Sequence, residues 1–232
     1  MAARAATAMA VVLLALAAFA SGAGAALIGL YRNDMDSDAK RGQIGKLSGE
    51  RCARGGSDQA FRILVGKGTS ECSYRTPVIG RDLEIAATAR LFSAAPKAVK
   101  RRAFLALNLR TGEQGAGYQL AVFPLQRKAQ VRKISSDGRV EYLHIERGLA
   151  SVRGTDEPNE LRLRAFNVTS GPDKGKCRIL AFVGGRQVAD VLDPGAGELQ
   201  GRGSGFSIGA VGDAKGAAGS VDDVVIRVPS PF

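Results

Sequence analysis

The chain has 232 residues and contains 33 Lys+Arg, 22 Asp+Glu, three Cys, one His and no Trp. Its length permits one all-β domain with extensions or two small domains, and its formal charge of +11 favours anionic over cationic partners. Three scattered cysteines and one histidine cannot supply an ordinary zinc centre.

The N-terminal segment is apolar. Between Arg4 and Arg32 lie 27 uncharged residues, and a helix of that length exceeds the roughly 30 Å hydrocarbon core of a bilayer. Residues 1–31 therefore predict a signal-anchor or transmembrane helix in the cell membrane, with a single pass and an extracytoplasmic C-terminal domain. The alternative is a signal peptide cleaved after the small residues at 23–25, which would leave a secreted protein. The basic residues that follow the segment do not favour the anchored orientation.

Cysteine usage fits an oxidising compartment, where two of the three thiols can pair. A bridge between Cys52 and Cys72 would close the shorter loop and clip the N-terminal extension to the domain. A bridge between Cys72 and Cys177 would join two strands. The sequence leaves both pairings open, and it predicts that the remaining thiol is a buried, small apolar group.

Strand signals recur from residue 59 to the C-terminus, and turn residues separate them. In residues 82–92, apolar and polar side chains alternate with a period of two. The inward set is Leu83, Ile85, Ala87, Ala89 and Leu91, and the outward set, predicted to be solvated, includes Asp82 and Glu84. Beyond the N-terminus, residues 93–104 suggest either a short helix or, because of Pro96, a loop, and residues 41–47 allow one helical turn. The sequence thus predicts one antiparallel all-β domain, a sandwich or barrel, over residues 59–232, after a polar stalk or lead-in at residues 32–58.

The later strands carry a recognisable order of motifs. The first is an N-x-L-x-[LV] strand and the second is a Gly-Gly turn where Val-Asn-Gly is usual. The third is a G-x-[IV]-G strand, and the last has Asp-Asp before a closing apolar strand. The residues at these motifs are Asn159, Leu161, Leu163, Gly184, Gly185, Gly205, Ile208, Gly209, Asp222 and Asp223.

This order resembles the concanavalin A-like lectin and glucanase jelly rolls. Within that superfamily it is closest to laminin G-like modules and related bacterial, membrane-anchored domains of unknown function. The resemblance spans about residues 60–228. It implies an antiparallel jelly-roll β-sandwich of a kind that binds or cleaves sugars. One departure is Val221, which stands where the family usually has Phe.

The carboxylates do not form a catalytic set. Glucanases that resemble this fold carry E-x-D-x-x-E on one strand, which sets two carboxyl groups on the same face. No such run exists here, and Asp82 and Glu84 come nearest. Asp222 and Asp223 alternate faces, so they cannot act together on one side of a substrate. We therefore lean against an enzyme, and a divergent glycoside hydrolase is the alternative.

Other candidates for chemistry are weak. His144 is the only histidine and has no evident partner. Asp190, Asp193 and Asp213 could offer oxygens to calcium, but no local loop gathers them. We expect no metal and no cofactor.

Basic side chains on strands are the remaining signal. If Ala129 lies inward, Lys128 and Arg132 point outward, and the leucines at 161 and 163 similarly place Arg162 and Arg164 outward. In one sheet, these four residues would form a positive, concave, ligand-binding face. The alternative is scattered charge on solvated strands.

These observations predict an extracytoplasmic, membrane-tethered binding or structural module that contacts an anionic glycan or cell-envelope polymer. A scaffold for a protein partner is a further alternative, for which a large exposed apolar patch would be evidence. Nucleic acid is not expected, because of the predicted location and because aromatic residues do not interleave with the basic ones.

Overall fold

The structure is a computed structural model that shows two antiparallel β-sheets. It describes residues 27–35, 37, 40–41, 43–44, 47–49, 51–55, 61–67, 70–93, 101–112, 115–195, 197, 199, 201–211 and 215–229. Most of the predicted N-terminal helix and residues 94–100 of the predicted short helix lie outside these ranges. Across the described ranges, no helix is both long enough and apolar enough to cross a membrane.

The described residues form strands that follow one another closely along the chain. In chain order they are β1 (Leu27–Asn33), β2 (Leu47–Ser48), β3 (Cys52–Gly55), β4 (Phe61–Lys67), β5 (Glu71–Ile79), β6 (Leu83–Leu91), β7 (Ala103–Thr111), β8 (Gly117–Phe123), β9 (Lys128–Ile134), β10 (Val140–Glu146), β11 (Asn159–Asn167), β12 (Cys177–Val183), β13 (Arg186–Asp193), β14 (Gly203–Ala210) and β15 (Lys215–Pro229). A 3-10 turn at Pro124–Gln126 joins β8 to β9.

The two sheets pack face to face as a sandwich. Sheet A has the order β13-β12-β11-β6-β15-β4-β3, with β1 also paired to β15, and sheet B has the order β10-β9-β8-β7-β14-β5-β2. The inward residues of β6 predicted from the alternation are all buried, and the inward residues of β11 and β12 join them in one core. Alternation of apolar and polar residues thus places the core between the sheets. The predicted antiparallel β-sandwich is confirmed.

The N-terminal part of the sandwich begins earlier than the sequence suggested. Leu27–Asn33 is a strand paired with β15, and Met35 and Ile44 are buried in the core. The Asn33 side chain donates to the Lys40 carbonyl oxygen at 2.7 Å and accepts from the Met35 N–H at 2.9 Å. Parts of the predicted apolar helix and of the predicted lead-in therefore belong to the sandwich. The prediction of a helix over residues 1–26 lies outside the described residues and stays a prediction.

The disulfide joins the two sheets. Cys52 on β3 of sheet A is bonded to Cys72 on β5 of sheet B, 20 residues apart in sequence. The alternative bridge to Cys177 is not formed, because Cys177 lies buried on β12 with a free thiol. By the chain-entropy estimate, a loop of this size stabilises the fold by about 3 kcal/mol.

A buried polar cluster closes one end of the sandwich. Lys133 of β9 lies 3.1 Å from Oδ2 of Asp193 on β13, and the Tyr118 hydroxyl donates to the same oxygen at 2.6 Å. Burial alone would raise the pKa of Asp193, but hydrogen bonds from Tyr118, Lys133 and the Gly195 N–H lower it overall. Because Asp193 belongs to sheet A and Lys133 to sheet B, this charge pair fixes the two sheets relative to each other.

Candidate functional site

A row of polar residues crosses the outward face of sheet B. The strand register places side by side Tyr142 of β10, Arg132 of β9, Gln119 of β8, Asn108 of β7, Gly205 of β14 and Arg75 of β5. Their sequence neighbours, including Val131 and Leu120, belong to the main core. Because successive side chains alternate across a sheet, this polar row points away from the core.

Hydrogen bonds link the middle of the polar row. Arg132 donates to the Gln130 side-chain oxygen at 2.6 and 3.0 Å and to that of Gln119 at 3.2 Å. The Gln119 amide donates in turn to Asn108 at 3.0 Å and to the Glu71 carboxylate at 2.9 Å. Since Glu71 lies on β5, the last bond reaches over β7 and β14. The side chains at the centre of the polar row are therefore occupied in hydrogen bonds to one another and cover this part of the sheet.

Aromatic rings complete this closure. Phe104 and Phe123 pack with ring centroids 5.5 Å apart and form a small buried cluster with two alanines. The Arg132 guanidinium lies 5.0 Å from the first ring centroid and 5.3 Å from the second, and the residue is only 6% exposed. Its desolvation lowers the pKa of Arg132, and Tyr142 and Glu71 oppose that shift. With its donors engaged and its charge buried, Arg132 holds the fold together.

The four predicted ligand residues do not share a face. Lys128 and Arg132 are on β9 of sheet B, whereas Arg162 and Arg164 are on β11 of sheet A, so the expectation of one positive face is wrong. The chain passes from one sheet to the other between β10 and β11, and periodicity within strands carries no information about such a crossing. Lys128 lies 3.9 Å from the Phe123 ring centroid, and its pKa is lowered by burial and by the nearby Arg132 and Arg147.

An open pocket lies at the Arg75 end of the polar row. It has a volume of about 580 Å³, and the ends of β5, β7 and β14 form its walls. We call it the arginine pocket; its described lining residues are Arg75, Thr76, Pro77, Ile79, Thr111, Gly112, Gly201, Arg202 and Gly203. Among those residues the only charged side chains are the two arginines.

Two glycines line the arginine pocket at positions where no side chain would fit. A Cβ on Gly201 would lie 2.2 Å from the Arg110 carbonyl oxygen, and one on Gly203 would lie 2.3 Å from Thr111 Oγ1. That hydroxyl is buried and has no hydrogen-bond partner among the described residues. The Arg75 guanidinium donates to the Gly112 carbonyl oxygen at the rim. Backbone atoms thus form the floor of the arginine pocket, and the guanidinium groups of Arg75 and Arg202 supply its positive charge.

Glu84 on β6 and Asp82, which precedes that strand, have structural roles. Glu84 is 2% exposed and accepts from Arg227 at 2.9 Å, so the expectation that it is solvated is wrong. Asp82 accepts from Arg110 at 3.2 Å and from the Asn167 N–H at 2.9 Å. Buried carboxylates need such partners.

The other acidic candidates and the histidine are dispersed. Asp190 accepts from Arg178, and Asp193 belongs to the buried cluster described above. His144 lies on edge strand β10 opposite Val131, and Asp213 lies outside the described residues. In the part of the chain that the structure describes, no group of three or more His, Cys, Asp or Glu residues could hold a metal ion.

Comparison with known proteins shows the fold. No model of a known protein family matches the chain, and no curated protein matches it either. Among solved structures, the carbohydrate-binding module CBM66 from Bacillus subtilis is similar at a TM-score of 0.60 and 12% identity, covering 79% of this chain and 96% of that one. A Bacillus subtilis protein of unknown function with a galectin-like fold gives 0.61 and 14%, covering 87% and 97%.

A third similar structure is the metal-free carbohydrate recognition domain of Emp46p, with a TM-score of 0.56 and 13% identity over 88% of this chain and 97% of that one. At such low identities these similarities concern the fold alone. The predicted resemblance to concanavalin A-like sandwiches is confirmed at that level.

Sequence reasoning missed the two arginines of the pocket. Arg75 is one basic residue in an ordinary alternating strand, and only pairing with β14 brings it to the pocket. Arg202 lies within the glycine-rich run at residues 201–205. That run signals close approach of backbone segments, and this was the one sequence feature that could have indicated the site.

Proposed function

We propose that this chain is an extracytoplasmic glycan-binding module that holds an anionic glycan or cell-envelope polymer in the arginine pocket. The observation that carries the proposal is the pair Arg75 and Arg202 beside an open cavity of about 580 Å³. The similar solved structures named as a carbohydrate-binding module and a carbohydrate recognition domain support a glycan as the ligand class.

The pocket suits an acidic sugar chemically. Guanidinium groups bind carboxylate or sulfate with paired, charge-assisted hydrogen bonds. Pro77 and Ile79 offer an apolar wall for the C–H face of a sugar ring, and Ile79 is 74% exposed. Because the centre of the polar row is closed, the ligand would be confined to the Arg75 end. The excess positive charge of the chain would speed the approach of an anionic polymer.

A binding assay with matched variants tests the proposal. The full chain in detergent is titrated with polygalacturonate and with neutral dextran across a salt series. We expect polygalacturonate to bind and its binding to weaken as salt screens the charges. In Arg75→Gln/Arg202→Gln the affinity should fall about tenfold or more and the salt dependence should flatten.

Arg178→Gln is the control, because Arg178 is an exposed arginine on sheet A, outside the arginine pocket. Equal binding by the double variant and the parent would contradict the proposal. Salt-insensitive binding of dextran would point to a neutral glycan instead.

We further propose that residues 1–26 tether the module to the membrane. The motivation is the uncharged, apolar run from residue 5 to residue 26, which as a helix is long enough to cross the roughly 30 Å hydrocarbon core and ends where β1 begins. Membranes from expressing cells are washed with alkaline carbonate, and the mass of the protein is measured. A full-length chain that stays with the membranes supports the tether. A shortened chain in the soluble fraction would favour the cleaved signal peptide and secretion.

A further inference from the structure

A second groove lies on the outward face of sheet A. It has a volume of about 300 Å³ and is formed by β6, β11, β12 and β15 together with the turn after β12. We call it the sheet A groove, and the side chains that matter are Thr88, Glu160, Arg162, Phe182, Asp223 and Arg227. It shares no residue with the arginine pocket, which lies on sheet B. Outward faces of the two sheets of a sandwich look in opposite directions, so the two cavities are separate.

The basic part of the sheet A groove is held in position by neighbouring side chains. Arg162 stands opposite both Phe182 and Ala86, and its guanidinium lies 3.8 Å from the Phe182 ring centroid. Arg227 stands opposite Glu84, which accepts from it at 2.9 Å. A cation–π contact thus restrains the guanidinium of Arg162, and a charge-assisted hydrogen bond restrains that of Arg227. The two arginines lie on β11 and β15, the strands on either side of β6.

Arg162 keeps its hydrogen-bonding capacity for a ligand. Its contact with Phe182 is a cation–π contact and uses no N–H donor in a hydrogen bond, and within the described ranges no ion pair joins Arg162 to a carboxylate. It is also half-buried, which reduces the screening of its charge by solvent. Arg162 was predicted as a ligand residue, and the structure places it in the lining of this groove.

The other part of the groove carries acceptors. Glu160 of β11 and Asp222 of β15 both stand opposite Thr88 of β6, one on each side. A bulge between Asp222 and Val225 then brings Asp223, with φ at 50°, into the groove lining. Glu160 and Thr88 therefore lie one outward position along the strands from Arg162, which stands opposite Ala86, and Arg227 lies one position further, opposite Glu84. The groove is bipolar, with hydrogen-bond donors at one end and acceptors at the other.

We infer that the sheet A groove is a second ligand site that takes one acidic sugar residue. The sugar carboxylate would bind between Arg162 and Arg227, and its ring hydroxyls would donate to Glu160 and Asp223. A simple anion could use only the basic end, and a neutral sugar only the acidic end. The sheet A site itself does not depend on the arginine pocket. Cross-linking of polymer chains rests on the proposed function, because it requires acidic glycan to bind at both sites on opposite faces.

The test is a titration of the isotope-labelled full chain in detergent, followed by NMR. The probes are D-glucuronate, D-glucose and inorganic phosphate. We expect D-glucuronate to shift amide signals of β6, β11 and β15, with D-glucose and phosphate each binding there more weakly. Loss of one charge-assisted bond in Arg162→Gln or Arg227→Gln should weaken glucuronate binding at these signals about tenfold.

Two controls separate this site from its surroundings. Arg178→Gln removes an arginine from the same face outside the groove, and it should leave glucuronate binding unchanged. Arg75→Gln/Arg202→Gln should also leave the β6, β11 and β15 shifts unchanged, so failure of the arginine pocket can be told apart from failure of this site. Unaltered unfolding temperatures for Arg162→Gln would show that the variant is folded.

Three results would overturn the inference. The first is that glucuronate still shifts the amide signals of β6, β11 and β15 in Arg162→Gln, with the affinity of the parent chain. Phosphate that binds these strands as tightly as glucuronate would reduce the groove to an anion site. Glucuronate shifts confined to β5, β7 and β14 would leave the arginine pocket as the single sugar site.

Discussion

The outward faces of the two sheets differ in how their side chains are used. On sheet B, Gln119 reaches across to Glu71, and Phe104 and Arg132 lie buried beside it. On sheet A, Arg162 lies against Phe182 at one side of a cavity of about 300 Å³. The hydrogen bond between Gln119 and Glu71 can cover the outward face of sheet B because the side chains beneath it, for example that of Ser207, are small. The groove on sheet A stays open because Arg162 and Arg227 are held by neighbours on different strands, Phe182 on β12 and Glu84 on β6.

This difference teaches that a basic residue on a strand is not a binding residue by virtue of its outward direction. Arg132 and Arg162 both point away from the core, yet the first is 6% exposed and donates three hydrogen bonds to Gln119 and Gln130. The second lines an open groove. Residues on the neighbouring strands decide between the two outcomes.

The largest expected effect comes from removing Arg132. In Arg132→Ala, buried oxygens of Gln119 and Gln130 lose their donor and two rings lose a packing partner, so the free energy of unfolding should fall by about 3 kcal/mol. Arg162→Ala, the matched change on sheet A, should cost less than about 1 kcal/mol. Urea unfolding followed by circular dichroism measures both values. Equal losses in the two variants would show that the faces do not differ.

A smaller effect is expected from filling the closed face. A Cβ on Gly209 would lie 2.5 Å from the Phe104 ring and 2.5 Å from the Ser70 carbonyl oxygen. Gly209→Ala should therefore lower the free energy of unfolding by about 1–3 kcal/mol. Ala86→Ser adds one atom to the floor of the sheet A groove and should change it by less than about 0.5 kcal/mol. Thermal unfolding of both variants measures these changes. Unchanged stability of Gly209→Ala would show that the outward face of sheet B can accommodate an extra methyl group.

The smallest effect concerns an exposed ion pair on sheet A. Arg178 donates to both oxygens of Asp190 at 2.8 and 2.6 Å. These hydrogen bonds lower the pKa of Asp190, partial burial opposes the shift, and the Arg178 charge adds to it. Because exposed pairs are screened by solvent, a double-mutant cycle with Arg178→Gln and Asp190→Asn should give a coupling of about 0.5 kcal/mol at neutral pH.

The pH dependence of that coupling has a defined sign. A lowered pKa in the folded state means that the stabilisation is complete above the unfolded-state pKa of about 3.9. It is lost as the pH falls through the still lower folded-state pKa. Repeating the cycle by urea unfolding at successively lower pH, below about 3.9, should give a coupling that declines toward zero. A coupling that does not decline as the pH falls would show that the contact is not ionic.

The alternation of residue types was enough to predict the strands and their inward faces. Leu83, Ile85 and Ala87 are buried as their period-two spacing indicates, and the later motifs indicated the jelly roll. The same alternation assigned Glu84 to the solvent, and that was wrong. Its partner Arg227 lies 143 residues away in sequence, so no local pattern could reveal the ion pair that lets Glu84 be buried.

The candidate sites show the same division. Residue order alone is sufficient to predict the strand pattern, the excess of positive charge, and the outward direction of Arg132 and Arg162. Tertiary structure alone decided that these two residues belong to different sheets, that one is buried, and that Arg75 and Arg202 meet at one pocket. The physical reason is that side-chain direction follows from backbone geometry within a strand, whereas burial and proximity depend on which distant strands pair.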